Sequence, residues 1–328
     1  MAESLINSIA RLRVLEKGLL TRETAERLRA AKSYDECLKI LTESGYGMNA
    51  ERGGDELEAL TGAQLHDTYA LIDELMPARY RDTVAAFRMR HDLTNIKLLY
   101  KLRLRGEDAA SAPLDAGGMF EGEALKKAIA RGDYSQLPKK ISEELEKLDV
   151  DTYRGADPAE VSSRLDRAFF SYTASHSNAF VRKYFGACAD FTNMIGVLRG
   201  APESAYLPGG EYDEAKLNEV REALASSPEK LPGILKSPLE TSELKEIMRG
   251  AFEEYRRTGH VSAIERARDD HLIALASERK SDIDSPAPII GYMLAREREA
   301  EVVRLILTAK RSGMPSSAAD ERSVALYG

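Results

Sequence analysis

An all-α fold is the expectation for this chain, and three observations lead to it. Apolar residues recur at intervals of three and four almost throughout, the period of a helix with one buried face. The strict alternation and β-branched enrichment of half-buried strands are absent. The third observation is a helix-ending pattern that returns three times: Asp92-Leu93-Thr94-Asn95-Ile96-Lys97-Leu98-Leu99, then Asp190-Phe191-Thr192-Asn193-Met194-Ile195-Gly196-Val197, then Glu299-Ala300-Glu301-Val302-Val303-Arg304-Leu305-Ile306. Each copy opens on a carboxylate, has Asn or an apolar residue three positions on, and runs to a basic residue and a glycine at 103–106, 199–200 and 310–313. The opening carboxylates stand 98 and 109 residues apart, close to a third of the 328-residue chain, so a tripled unit is expected.

In chain order, the first signal is a charged helix around Glu26–Lys32 running into Ser33-Tyr34, where Ser33 and Glu36 have capping-box spacing for a second helix. Pro77 marks the start of a long helix reaching Arg105. At 100° per residue Val84, Phe87, His91, Asn95, Leu98 and Leu102 fall within about 80° of arc, a stripe that must pack against other helices, with Asp92 on its flank. At about 1.5 Å per residue this helix measures roughly 40 Å. A breaker-rich loop follows from Gly106 to Gly122, with Pro113 and Gly117-Gly118. The charged-helix register then returns at Ala124–Tyr134, Pro158 opens another helix, and the second repeat ends at Arg199-Gly200. A second breaker-rich loop, 200–212, carries Pro202, Pro208 and Gly209-Gly210. The register appears a third time at Lys216–Leu224, before Ser226-Ser227-Pro228. Ser237 with Glu240 and Pro238 mark a further start, and a final helix is expected from about Pro286 to Arg311. The two loops divide the chain into lobes 1–110, 111–208 and 209–328.

Composition narrows the function. A hydrophobic content of 43% suffices for a sizeable core, and the 31% charged residues alternate in sign, as solvated helix faces do. A net charge of −7 disfavours nucleic acid or anionic lipid as the main partner, since both require a basic footprint. Cys37 and Cys188 are too few for a disulfide framework or zinc site, the opening residues lack a signal-sequence pattern, and a reducing cytosolic compartment is expected. Charged residues interrupt every apolar run short of a bilayer span.

No catalytic constellation is expected, and no cofactor. Gly53-Gly54, Gly117-Gly118 and Gly209-Gly210 lack the context of a phosphate loop and read as ordinary turns. His66, His91, His176, His260 and His271 never take metal-binding spacing, and His91, on the apolar stripe, reads as a hydrogen-bonded core histidine. Neither cysteine has a histidine near it in sequence to activate it, and both are expected to be buried thiols. Asp269-Asp270-His271 reads as a solvated helix face. The polar feature that asks for explanation is the set Asp92, Asn95, Asp190, Asn193, Glu299 and Arg304. The three carboxylates of this set are either partner-binding acids or local braces paired with bases such as Arg88, one turn before Asp92. Recurrence in every lobe favours braces, because a brace that belongs to the fold recurs with the fold.

The segment Phe87–Leu99, the run Leu165-Asp166-Arg167-Ala168-Phe169-Phe170, Asp190-Phe191-Thr192-Asn193, and the C-terminal Pro288–Glu299 and Arg304–Lys310 together resemble the C subunit of the bacterial and archaeal V-type (A-type) ATPases, the counterpart of the d subunit of the vacuolar ATPase. The likeness runs in order over essentially the whole chain. Two positions depart from the family pattern: Val302 stands where Asn is usual, and Ser285 where a glycine commonly precedes the proline pair. The first departure puts in doubt a hydrogen-bonding role shared by Asn95, Asn193 and the third-lobe position. The resemblance implies three similar helical lobes arranged as a pseudo-threefold funnel. It implies a non-catalytic rotor part that receives the central shaft on one side and sits on the cytoplasmic face of the proteolipid ring on the other. It is then peripheral to the membrane, with no direct bilayer insertion, no nucleic acid and no small-molecule substrate. A helical-repeat scaffold of another assembly is the rival reading; it requires many units of about 35–45 residues rather than three long ones.

Overall fold

The computed structural model describes residues 5–47, 55–152, 157–226, 230–235, 243–314 and 326. Among these residues the regular elements are helices alone, and no strand is present. In order they are α1 (Leu5–Leu15), α2 (Arg22–Ala30), α3 (Tyr34–Glu43), α4 (Glu56–Leu75), α5 (Arg81–Arg105), α6 (Gly122–Arg131), α7 (Lys139–Thr152), α8 (Pro158–Ala174), α9 (Ala179–Leu198), α10 (Glu214–Ser226), α11 (Leu231–Leu235), α12 (Glu243–Thr258), α13 (Ser262–Glu278) and α14 (Ala287–Arg311). The expected cap at Ser237 and Glu240, with Pro238, and the turns at Gly53-Gly54 and Ser227-Pro228 lie outside the described residues.

Local sequence explains most helix ends. Ser33 caps α3 by accepting the N–H of Glu36, and the Glu36 carboxylate reaches back to the N–H of Lys32, one residue before the partner a standard capping box uses. Thr21, Asp55, Glu121, Asp157 and Asn178 cap α2, α4, α6, α8 and α9 through their side-chain oxygens. Pro77 precedes a 3₁₀ turn, Ala78–Tyr80, so α5 proper begins at Arg81. The three repeat endings are one device. Gly106, Gly200 and Gly313 sit at φ of 68°, 74° and 63°, the left-handed region where a side chain is strained. In each, the following residue donates its N–H back into the helix, from Glu107 to Leu102, Ala201 to Gly196 and Met314 to Ala309. The last carbonyls of α5, α9 and α14 are satisfied in the same way.

The chain forms two compact units. The first joins residues 1–81 to 266–328, and its centre is α14, buried at every residue from Ala287 to Glu297 and packed against α1, α2, α3 and α4. Leu28, Cys37, Leu41, Leu57, Val302, Val303 and Leu307 form one apolar cluster there. The second unit spans 82–265. Its packing centres on an aromatic group from α5, α8 and α9, in which the Phe87 ring lies 5.6, 5.1 and 5.2 Å from the rings of Phe180, Tyr184 and Phe185. Such offset and tilted contacts add to the area the rings bury.

Burial on α5 differs from the expected stripe. Val84, Phe87 and Asn95 are buried, but His91, Leu98 and Leu102 are half-buried, while Arg88, Asp92, Leu93, Ile96 and Leu99 are covered. The buried face is wider and rotated because α5 is packed on more than one side. Two further expectations are corrected. Cys37 is buried and its thiol donates to the Leu28 carbonyl (3.4 Å), but Cys188 is only half-buried. His271 is buried rather than solvated: it lies one turn before Leu275 on the core face of α13, while Asp269 pairs with Arg268 and Arg298 and Asp270 is exposed.

Candidate functional site

Asp92 and Asp190 are fully buried, each at 0% exposure, and each accepts two consecutive backbone N–H groups. Asp92 takes those of Met119 (2.8 Å) and Phe120 (3.3 Å); Asp190 takes those of Glu211 (2.8 Å) and Tyr212 (3.0 Å). One turn on, Asn95 and Asn193 each clamp the same incoming loop twice. The Asn95 amide donates to the Asp115 carbonyl (2.9 Å) and accepts its N–H (2.7 Å); Asn193 does the same with Leu207 at the same two distances. Carboxylate and amide together pin one stretch of loop to the flank of a long helix.

The pinned stretch stands in one position each time, immediately ahead of a helix of the second register. Phe120 precedes the cap Glu121 of α6, and Tyr212 precedes Asp213, which caps α10 by accepting the N–H of Lys216 (2.8 Å). Glu299 completes the series: it accepts the N–H of Leu20, the residue before Thr21, the cap of α2. The two sequence registers are therefore the two halves of one contact, in which the carboxylate of a long helix holds the entry to a short charged helix.

Glycine makes the approach possible. A Cβ built on Gly118 would lie 2.0 Å from Asp92 Oδ1, and one on Gly210 would lie 2.1 Å from Asp190 Oδ1. Neither has a left-handed φ, so proximity to the carboxylate, not backbone conformation, requires glycine. These glycines are thus more than the ordinary turn residues their sequence context suggests. The signal was present: Gly118, Gly210 and Gly18 each stand four residues before the first residue of α6, α10 and α2.

The three contacts differ in how charge is balanced. Arg88, one turn before Asp92, donates to the carbonyls of Gly117 (2.8 Å) and Gly118 (2.6 Å), and its positive charge favours the ionised Asp92 carboxylate. Arg296 plays the corresponding part for the third contact, donating to Gly18 (3.1 Å) and forming an ion pair with Glu299 (2.8 Å). One turn before Asp190 stands Gly186, where an added Cβ would meet the Gly209 carbonyl at 2.7 Å, so backbone occupies the place of a cation. Val302, three residues after Glu299, packs in the apolar cluster with Leu20 where Asn95 and Asn193 make amide clamps. Arg304 lies at the surface, paired with Glu58 at 3.2 Å, and is not part of the contact.

Burial dominates the titration of these groups. It pushes Asp92 up to about 6 and Asp190 up to about 7, against the pull of the N–H groups they accept. Burial also raises Glu299, with Arg296 pulling it back. Beside the first contact, His91 shares a hydrogen bond with Asp115 (2.8 Å); burial lowers the His91 pKa despite that partner. Among the described residues no cluster of three His, Cys, Asp or Glu side chains has the arrangement of a metal site.

Helical fold and recurring polar contact define an all-α scaffold whose long helices are fastened to the short helices that follow them or open the chain. It belongs to the ATP synthase (C/AC39) subunit family, whose model matches residues 8–322. The C subunit of the V-type ATP synthase of Thermus thermophilus is 25% identical, the match covering 99% of both chains. The C subunit of the A-type ATP synthase of Thermococcus kodakarensis is also 25% identical, over 93% of this chain and 86% of its own. The C subunit of the V-type ATP synthase of Deinococcus radiodurans is 24% identical over 93% of this chain and 87% of its own.

Proposed function

We propose that the chain is the non-catalytic socket of the central rotor in a rotary V/A-type ATPase. It receives the central-shaft subunits on one side and rests on the cytoplasmic face of the proteolipid ring on the other, so that ion translocation and ATP turnover are mechanically coupled. The observation that carries this reading is the family match from residue 8 to 322, with relatives named as the C subunits of ATP synthases aligned over nearly their full length. No described helix is long and apolar enough to cross a membrane, which agrees with a part that meets the ring outside the bilayer.

The three lobes 1–110, 111–208 and 209–328 around a pseudo-threefold axis belong to the same proposal. The recurrence of one contact at Asp92, Asp190 and Glu299 supports it, since each lobe would hand its carboxylate to the next and the last to the first. Full burial of Asp92 and Asp190 favours their role as braces over one as acids reserved for a partner. A torque-bearing adaptor needs such stiffness, because a loose joint would dissipate rotation as internal motion.

Reconstitution tests the proposal. Complexes assembled without the chain, or with it truncated before Pro286 so that α14 is lost, should keep ATP hydrolysis in the catalytic head and lose ATP-driven ion pumping and shaft binding to the ring. Coupled pumping by such complexes would refute the socket.

A further inference from the structure

Of the three equivalent buried carboxylates, Asp190 alone has neither an ion pair among the described residues nor an arginine on the preceding turn of its own helix. Glu299 is paired with Arg296, and Asp92 has Arg88 within electrostatic reach. Around Asp190 the space one turn earlier is filled by the Gly209 carbonyl against Gly186. From the loop, the charge of Glu211 opposes ionisation of Asp190, while the Tyr212 phenol is kept neutral by burial and by the neighbouring acids. From α12, Lys245 contributes a positive charge at longer range, but it is paired with Glu211 at 3.8 Å. The described charged neighbourhood of Asp190 is therefore nearly neutral. Its ionised form is held by two backbone N–H groups and little else.

We propose that Asp190 makes the fastening of loop 207–212 to α9 dependent on protonation, the docked loop favouring the neutral acid and the undocked loop the carboxylate. The direction follows from linkage. In water the carboxyl ionises freely; under the docked loop it is sealed from solvent, and burial penalises the charge. The docked state therefore binds a proton more tightly than the undocked state, and by reciprocity a proton favours docking. Rising pH charges the buried group, and the loop that seals it is the element able to let water in. The Asp92 and Glu299 contacts are less responsive because an arginine balances each.

Hydrogen exchange of the full chain across pH 6–9, corrected for intrinsic exchange rates, reads the docking directly. Protection of the Glu211 and Tyr212 amides should fall at least tenfold as pH rises, more steeply than that of the Met119 and Phe120 amides. In Asp190→Asn, an isosteric mimic of the neutral acid, the fall should disappear. Carbon-13 NMR of the wild-type carboxyl provides a reading that does not depend on the variant folding, with a titration midpoint expected near 7. Protection that is flat with pH, an Asp190 carboxyl titrating below about 5, or an unchanged pH dependence in Asp190→Asn would each overturn the proposal.

Discussion

A carboxylate taken fully out of water costs several kcal/mol unless hydrogen bonds replace the solvent it loses. Asp92 meets that cost with the N–H groups of Met119 and Phe120 and the nearby charge of Arg88. Truncation to Ala would strand both donors in a buried site, and unsatisfied buried groups cost about 1–3 kcal/mol each. Asp92→Ala should therefore destabilise the isolated protein by about 2–5 kcal/mol in denaturant unfolding. An acid reserved for a partner would cost close to nothing, so wild-type unfolding combined with lost assembly would reverse the assignment. The same residue makes a pH prediction. Its folded pKa, about 6, lies above the value near 3.9 of an unfolded Asp, so between those values the native state retains a proton the unfolded chain has released. Its contribution is fully present below about pH 4 and is lost as pH rises through 6. Asp92→Asn removes that titration. Its unfolding midpoint should fall less than that of wild type between pH 4 and 8, by an amount equivalent to about 1–3 kcal/mol; parallel curves would show that Asp92 does not titrate in this range.

At the scale of elements, the joint between a long and a short helix depends on glycine as much as on the acid. In Gly118→Ala the new methyl would need the position of Asp92 Oδ1, part of a carboxylate that accepts one hydrogen bond on each oxygen. Either the loop lifts or the carboxylate turns away, and the contact is lost in both cases. A cost of about 2–4 kcal/mol is expected, comparable with overpacking combined with a broken polar contact. Because glycine and aspartate serve one contact, the costs should not add: Asp92→Ala with Gly118→Ala should cost at least about 1 kcal/mol less than the two singles together. Additive costs from denaturant unfolding of the four species would separate the two residues.

For the whole molecule, the division into contact units says something the lobe pattern does not. Residues 1–81 and 266–328 form one unit, in which Glu299 bonds the N–H of Leu20 across 279 positions of sequence. The last long helix thus supplies the core against which the first helices pack, and its removal in the truncation test takes away that core. The fold also bears on activity. The sequence carries no phosphate-loop motif, and the Gly-Gly pairs 117–118 and 209–210 lie close against His91, Asp92, Ala174 and Asp190. Isothermal calorimetry of the monomeric chain with ATP should give no saturable binding. A stoichiometric isotherm would place a nucleotide site in the protein and count against a purely mechanical role.

The sequence by itself determined the helical class and the glycine-marked ends of the long helices that stop at Arg105, Leu198 and Arg311. These are short-range properties: a 3.6-residue period, a proline near a start, and a glycine that alone relaxes at positive φ where a helix must stop. It also displayed both halves of the recurring contact, as two registers. Tertiary structure decided that the halves meet, that Asp92 is sealed from water, that His271 turns inward, and that Arg88 reaches loop carbonyls. The reason is chemical. The carboxylates bond to backbone N–H groups, which every residue except proline carries, so the partner leaves no mark of its own in the sequence. Its only trace is the glycine that clears the way, and a glycine in a loop looks the same whether it turns the chain or makes room for an acid.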